Sequence, residues 1–201
     1  MIPLYDKKKI KDGFPLATIF LIVLNTIIFL CTISNLDHFV SLFGFTSNNL
    51  LDGKFFTVFT SMFLHGNVWH LILNMWFLWV FGDNLESRLG KINFLAFYFL
   101  CGLGGAIVYA LAMSDSSAAV IGASGAISGV LGGYLVLFPK NKIRTFLFFC
   151  VASIPAVIYI FAWFLLQLFS TSAIETSTAY FAHIGGFIAG IAFVKMFKKR
   201  K

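Results

Sequence analysis

The chain has 201 residues, of which 59% are hydrophobic and 11% charged, and its mean hydropathy is +0.90. A soluble domain carries about twice that charged fraction, so the composition excludes an ordinary soluble enzyme and points to a polytopic membrane protein. The net charge of +7 lies in clusters between apolar blocks, which reads as membrane orientation and not as a nucleic-acid surface.

Residues 1–13 form a basic N-terminal segment with Lys7, Lys8, Lys9 and Lys11. The apolar run Phe14–Ile33 follows. It exceeds the roughly 7–15 residues of a signal-peptide core and lacks a small-x-small cleavage site, so it is expected to be an uncleaved first span. Ser34–Gly66 reads as a long, partly apolar interfacial loop that includes His38 and His65. Asn67 is a good N-cap for a second span over 68–88. Further spans are expected at 92–113, 121–138, 145–169 and 179–197, each near the ~20 residues a bilayer needs. Pro139 should end the fourth, and Pro155 should kink or weaken the fifth. Residues 198–201 are a basic tail.

The expected fold is therefore an all-α membrane protein, a six-transmembrane-helix bundle over 14–197. With six spans, Arg88, Lys91, Lys140, Lys142, Arg144, Lys195 and both basic ends share one side, leaving Lys54 on the other. The positive-inside rule places both termini in the cytoplasm. Cys31, Cys101 and Cys150 all lie in apolar blocks and are odd in number, which favours packing over a disulfide framework.

Spans two, four and six all begin on the outer side. At ~1.5 Å per residue, His70, Asn74, Ser124 and His183 then sit within roughly 10 Å of their helix starts, in one layer. Each has a plain reading alone: His and Asn as interhelical hydrogen-bond partners, Ser124 as a cap or small packing residue. The glycines change the balance. Gly125, Gly129 and Gly133 run down span four, and His183, Gly186 and Gly190 share a face of span six. Such stripes allow close backbone approach, which brings Ser124 within reach of His183. A serine with a histidine base is a catalytic dyad, and no acidic residue in spans four or six offers a third member. His70 and Asn74, four residues apart on one face, can donate toward an oxyanion, as can the backbone N–H of Ser124. Metal binding by His65, His70 and His183 is the competing chemistry, but no HExxH motif, carboxylate or thiolate accompanies them. No metal and no cofactor are expected. Glu86 and Arg88 read as an interfacial charge pair, and Gly82, Glu86 and Gly90 recur at packing spacing.

At these residues the sequence resembles the rhomboid family of intramembrane serine proteases, in its compact six-span bacterial form. The resemblance runs from about Phe14 to Phe193. It is carried by His65-Gly66-Asn67-Val68-Trp69-His70-Leu71-Ile72-Leu73-Asn74-Met75, Gly82 to Gly90, Gly122-Ala123-Ser124-Gly125-Ala126 and Ala182-His183-Ile184-Gly185-Gly186. It implies Ser124 as nucleophile, His183 as base, His70 and Asn74 at the oxyanion, and transmembrane protein substrates cut in or near their spans. It also implies a place in the bacterial cytoplasmic membrane. Many relatives have Trp-Arg in the first loop where this chain has Phe56-Thr57, and a tyrosine where it has Ser128. The anchoring of that loop and the orientation of His183 are therefore open. Trp163 and Phe164, at the depth of the dyad on the fifth span, are candidates for a lateral gate, against ordinary aromatic packing. The rival functions are a catalytically silent rhomboid-like binding protein and a small transporter. The latter predicts an inverted repeat, and none is visible.

Overall fold

The computed structural model describes residues 2–6, 13–114, 118–147, 150–170 and 177–197. Helix α1, Leu16–Thr32, follows Pro15 and has no side-chain cap of its own. Its cap comes from another helix: the Glu86 carboxylate accepts from the Ala17 and Thr18 backbone N–H groups at 2.9 and 2.8 Å and from the Thr18 hydroxyl at 2.8 Å. A buried anion thus meets the positive end of α1. This replaces the expected pair with Arg88, since residues two apart on a helix point to different sides.

The segment expected as a loop over Ser34–Gly66 is instead a string of short helices: a 3-10 turn, α2 (Leu36–Phe43), α3 (Ser47–Leu51), α4 (Thr57–Thr60) and a second 3-10 turn. Near a bilayer each backbone polar group needs a partner, and short helices supply one locally. The segment is tied to the rest of the protein by backbone pairing of Phe45 with Val120, by the Gly122 N–H donating to the Ser61 carbonyl and by the Ser47 hydroxyl donating to the Met113 carbonyl, and it is braced internally by the Thr60 hydroxyl on the Phe43 carbonyl. Those contacts anchor the loop in place of a Trp-Arg pair.

Helix α5, Val68–Leu89, starts at Asn67, whose side chain accepts from the His70 N–H at 2.9 Å. Leu78, Phe81, Leu85 and Leu89 form its fully buried stripe at three- and four-residue spacing. Gly90, at φ +87°, turns the chain into α6, Lys91–Ala112. Helix α7, Ser124–Leu137, stops two residues before Pro139.

The fifth expected span begins differently. Strands β2 (Lys142–Leu147) and β3 (Cys150–Pro155) form an antiparallel pair, and β1 (Ile2–Asp6) adds to β2 to make a three-stranded sheet in the order β1-β2-β3. Strand β2 alternates: Ile143 and Thr145 are fully buried, while Lys142 and Phe146 face out, which is the period of a strand. Pro155 therefore ends a strand and does not kink a helix; α8, Ala156–Ser170, begins after it. The buried Asp6 carboxylate holds β1 in place by accepting from the side-chain amides of Asn84 and Asn141 and from the Tyr134 hydroxyl. The Trp76 indole donates to the Pro3 carbonyl. Helix α9, Ser177–Phe193, ends in a 3-10 turn over Val194–Phe197.

Among the described residues three helical stretches are long and apolar enough to cross a membrane: Leu16–Phe43, Lys91–Ala112 and Tyr180–Phe197. Ser124–Leu137 and Ala156–Leu166 are apolar but shorter. Helix α5 has the length but carries Asp83, Glu86 and Arg88 in its last turns.

Helices α6, α7 and α9 pack backbone against backbone. A Cβ on Gly186 would lie 1.9 Å from the Gly125 carbonyl oxygen, and one on Gly190 would lie 2.0 Å from that of Gly129. Gly129 has Cys101 of α6 at 2.2 Å from the same construction, and Gly133 has Phe97 at 2.8 Å. At Gly125 the nearest atom is 3.5 Å away, so there it is the glycine's own carbonyl that makes the contact.

Candidate active site

Ser124 is the first residue of α7, and the turn before it depends on Gly122. Gly122 has φ +116°, and its N–H donates to the Ser61 carbonyl at 2.8 Å. A side chain there would be strained in the backbone and would collide with His70, whose Cε1 and Nε2 both lie 2.8 Å from the ideal Cβ position. Ala123, not Ser124, occupies the cap position, and no side-chain cap bond is present. The Ser124 hydroxyl is thus free of capping, and its Oγ lies 2.7 Å from His183 Nε2.

His183 stands six residues into α9. The Gly125–Gly186 contact sits one residue beyond Ser124 and three beyond His183, so the backbone approach and the side-chain contact occur at one level. In place of a tyrosine, Ser128 donates to the Ser124 carbonyl at 2.7 Å. The ring neighbours of His183 are Trp163, with centroids 6.5 Å apart, and Tyr180, edge-on at 6.0 Å. Tyr180 was not singled out from the sequence; its signal was the three-residue spacing to His183 along one helix face.

On the other side, His70 Nδ1 accepts from the Gly66 N–H at 3.4 Å. An accepting Nδ1 assigns the proton to Nε2, on the edge that faces Gly122. The Asn74 amide donates one hydrogen to the His70 carbonyl at 3.0 Å, which leaves a second N–H for another acceptor. His70, Asn74, Ser124 and His183 line one open cavity of about 290 Å³, together with Leu73, Phe77, Ile121, Ile127 and Trp163. Trp163 also lies 6.5 Å from the rings of Phe77 and Phe187, while Phe164 stacks on Phe187 at 4.5 Å and does not line the cavity.

His65 is fully buried beside this site, its ring 5.1 Å from that of His70. Burial, with His70 adding to it, pushes its pKa down to about 4. Among the described residues no group of three or more His, Cys, Asp or Glu is placed to hold a metal ion.

Long apolar helices that bring a serine within hydrogen-bond distance of a histidine, on the wall of a largely apolar cavity, are the features of an integral membrane protein. Residues 52–200 match the family model for the Rhomboid domain, and the chain belongs to the rhomboid family. It is 32% identical to Rhomboid protease GluP of Bacillus subtilis over 90% of this chain and 34% of that protein. Rhomboid protein 1, mitochondrial, of Saccharomyces cerevisiae is 33% identical over 68% of this chain and 40% of its own length. Rhomboid-like protease 3 of Toxoplasma gondii is 30% identical over 71% of this chain and 51% of its own length. The aligned part thus spans between a third and about half of these relatives.

Proposed function

We propose that this chain is an intramembrane serine endopeptidase that cleaves single-span membrane proteins in or near their transmembrane segments. The observation that carries the reading is the 2.7 Å contact between Ser124 Oγ and His183 Nε2 in a chain of the rhomboid family. Ser124 attacks the scissile carbonyl while His183 takes its proton, and an acyl-enzyme forms. His183 then protonates the leaving amine, and water hydrolyses the ester by the reverse sequence. The developing oxyanion meets the His70 Nε2–H, the second Asn74 N–H and the Ser124 backbone N–H. The four polar side chains His70, Asn74, Ser124 and His183 on an otherwise apolar cavity wall support entry of water to a site within apolar helices. A helical peptide bond is shielded from attack, so substrates whose helices unwind easily are favoured.

In this reading the chain crosses the bilayer six times with both termini cytoplasmic. The pairing of β1 with β2 supports this, because it holds residues 2–6 and the α7–α8 connection on the same side. The membrane is the bacterial cytoplasmic one, a reading supported by the Bacillus subtilis relative that aligns over most of the chain. Trp163, on the cavity wall facing Phe77 of α5, is the gate residue, with Phe164 supporting it from Phe187. The test is fluorophosphonate labelling of the reconstituted protein, read beside cleavage of a single-span reporter. Labelling and cleavage that both vanish in Ser124→Ala and in His183→Ala are expected. A wild-type protein that neither labels nor cleaves would instead be a silent rhomboid-like binding protein.

A further inference from the structure

His65 takes no part in the chemistry above, yet it occupies a costly place. Its side chain is 0% exposed. Nδ1 lies 3.3 Å from the Phe63 carbonyl oxygen, so that nitrogen carries the proton and donates. Nε2 is then a bare acceptor, buried and without a hydrogen-bond partner among the described residues. An unmet buried acceptor destabilises the fold, and a phenyl ring would fill similar space without that cost. The ring is neutral at pH 7, because burial holds its pKa near 4. Packing alone does not call for an imidazole here.

What the ring touches is His70. The two imidazoles meet edge-to-face, with centroids 5.1 Å apart and planes at 66°. The next residue, Gly66, supplies the N–H that His70 Nδ1 accepts. The opposite edge of His70 abuts Gly122, where no Cβ fits. His70 is therefore held from three directions: by the His65 ring, the Gly66 amide and the Gly122 backbone. A half-turn of the His70 ring would present a C–H to the Gly66 amide and lose that bond. The Phe63 carbonyl in turn fixes the plane of His65, which a phenyl ring could not offer.

We propose that His65 is a positioning residue for His70: anchored on the Phe63 carbonyl and packed edge-to-face, it holds the ring in the orientation at which the Gly66 N–H keeps His70 in the Nε2–H tautomer that donates toward the oxyanion. The kinetic part rests on the protease reading; the tautomer part stands without it.

The full chain labelled with [15N]histidine contains four histidines, and the His70 signals are those lost in His70→Ala. In the wild type His70 is expected as a single tautomer protonated at Nε2. In His65→Phe the melting temperature holds or rises while the His70 signals show mixed tautomers. On a single-span reporter in proteoliposomes, His65→Phe lowers kcat roughly tenfold, a part of the ~10²–10³ that a whole oxyanion donor supplies, and leaves KM unchanged. In the His70→Ala background the same substitution changes kcat by no more than about twofold, the scatter of independent sites. His65→Ala, measured alongside, should show the same tautomer mixing. An unchanged tautomer in both variants, equal losses of kcat in both backgrounds, or failure of both variants to fold would each overturn the proposal. A wild-type chain that cleaves nothing would sink the protease reading and still leave the tautomer arm to decide the role of His65.

Discussion

Replacing Gly186 by alanine should disable the proposed dyad without unfolding the bundle. The added Cβ would lie 1.9 Å from the Gly125 carbonyl oxygen, and ordinary contact begins at 3.4 Å, so α9 must back away from α7 by about 1.5 Å (3.4 − 1.9). The obstructing atom is backbone and cannot rotate aside. Gly186 lies one helical turn beyond His183, and Gly125 is the neighbour of Ser124, so the displacement falls on the 2.7 Å Ser124–His183 contact. Stretched to about 4 Å, that contact is no longer a hydrogen bond. A misplacement of about 1 Å at reacting groups can cost on the order of 10²-fold in rate, whereas overpacking typically costs about 1–3 kcal/mol of stability. Gly186→Ala should therefore label with fluorophosphonate and cleave a single-span reporter at least about a hundredfold more slowly, while remaining helical and thermally cooperative. Gly125→Ala is the comparison, because its Cβ would meet nothing closer than 3.5 Å and should cost far less. Wild-type labelling and turnover in Gly186→Ala would refute the argument that backbone contact sets the dyad distance.

Asn74→Ala should lower kcat by about 10²-fold with little change in KM, since a donor aimed at the oxyanion acts in the transition state; equal kinetics would return Asn74 to helix packing. Trp163→Ala combined with Phe164→Ala should speed cleavage of a transmembrane substrate and leave hydrolysis of a small soluble one nearly unchanged. Equal loss on both substrates would assign the two rings to packing against Phe77 and Phe187. Asp6→Ala removes the acceptor shared by Asn84, Tyr134 and Asn141, and a buried donor such as the Tyr134 hydroxyl that loses its acceptor costs about 1–3 kcal/mol. A clearly lower melting temperature is expected, and an unchanged one would show that β1 contributes nothing to the fold.

The sequence made the residues of the candidate site more legible than the frame that carries them. Ser124 and His183 stand out because a bilayer makes polar side chains expensive, and glycines at four-residue spacing mark where helices meet closely. Both signals are local. The cap of α1 is not local: Glu86 and Thr18 are 68 residues apart, and nothing at either position announces the other. The same holds for β1, whose partner strand lies some 140 residues downstream. Its five residues have no helical or alternating pattern long enough to stand without that partner.

Residues 145–155 show how two periods can hide in one composition. By hydropathy they continue into the apolar run of α8, and a span was the natural reading. The burial of residues 142–146 alternates, but the residue types do not: Thr145 is buried and Phe146 exposed, so the strand period was hidden, and a strand so short forms only when neighbours pair with it. Asp6 provides what pairing alone does not. Two buried donors, from α5 and α7, and the half-buried Asn141 in the turn before β2 converge on its carboxylate, so the sheet is fixed to the helices that hold the candidate site above it. Strand β3 runs directly into α8, and the Ala156 N–H donates to the Asn141 carbonyl at 2.7 Å. The start of α8 is thereby tied to the Asp6 cluster through Asn141, while Trp163, about two turns further along, faces the cavity. Besides the Glu86–Thr18 cap of α1, two clusters of polar residues look out of place in this apolar chain. One surrounds Ser124, and the other anchors the opposite end of the helix that walls it.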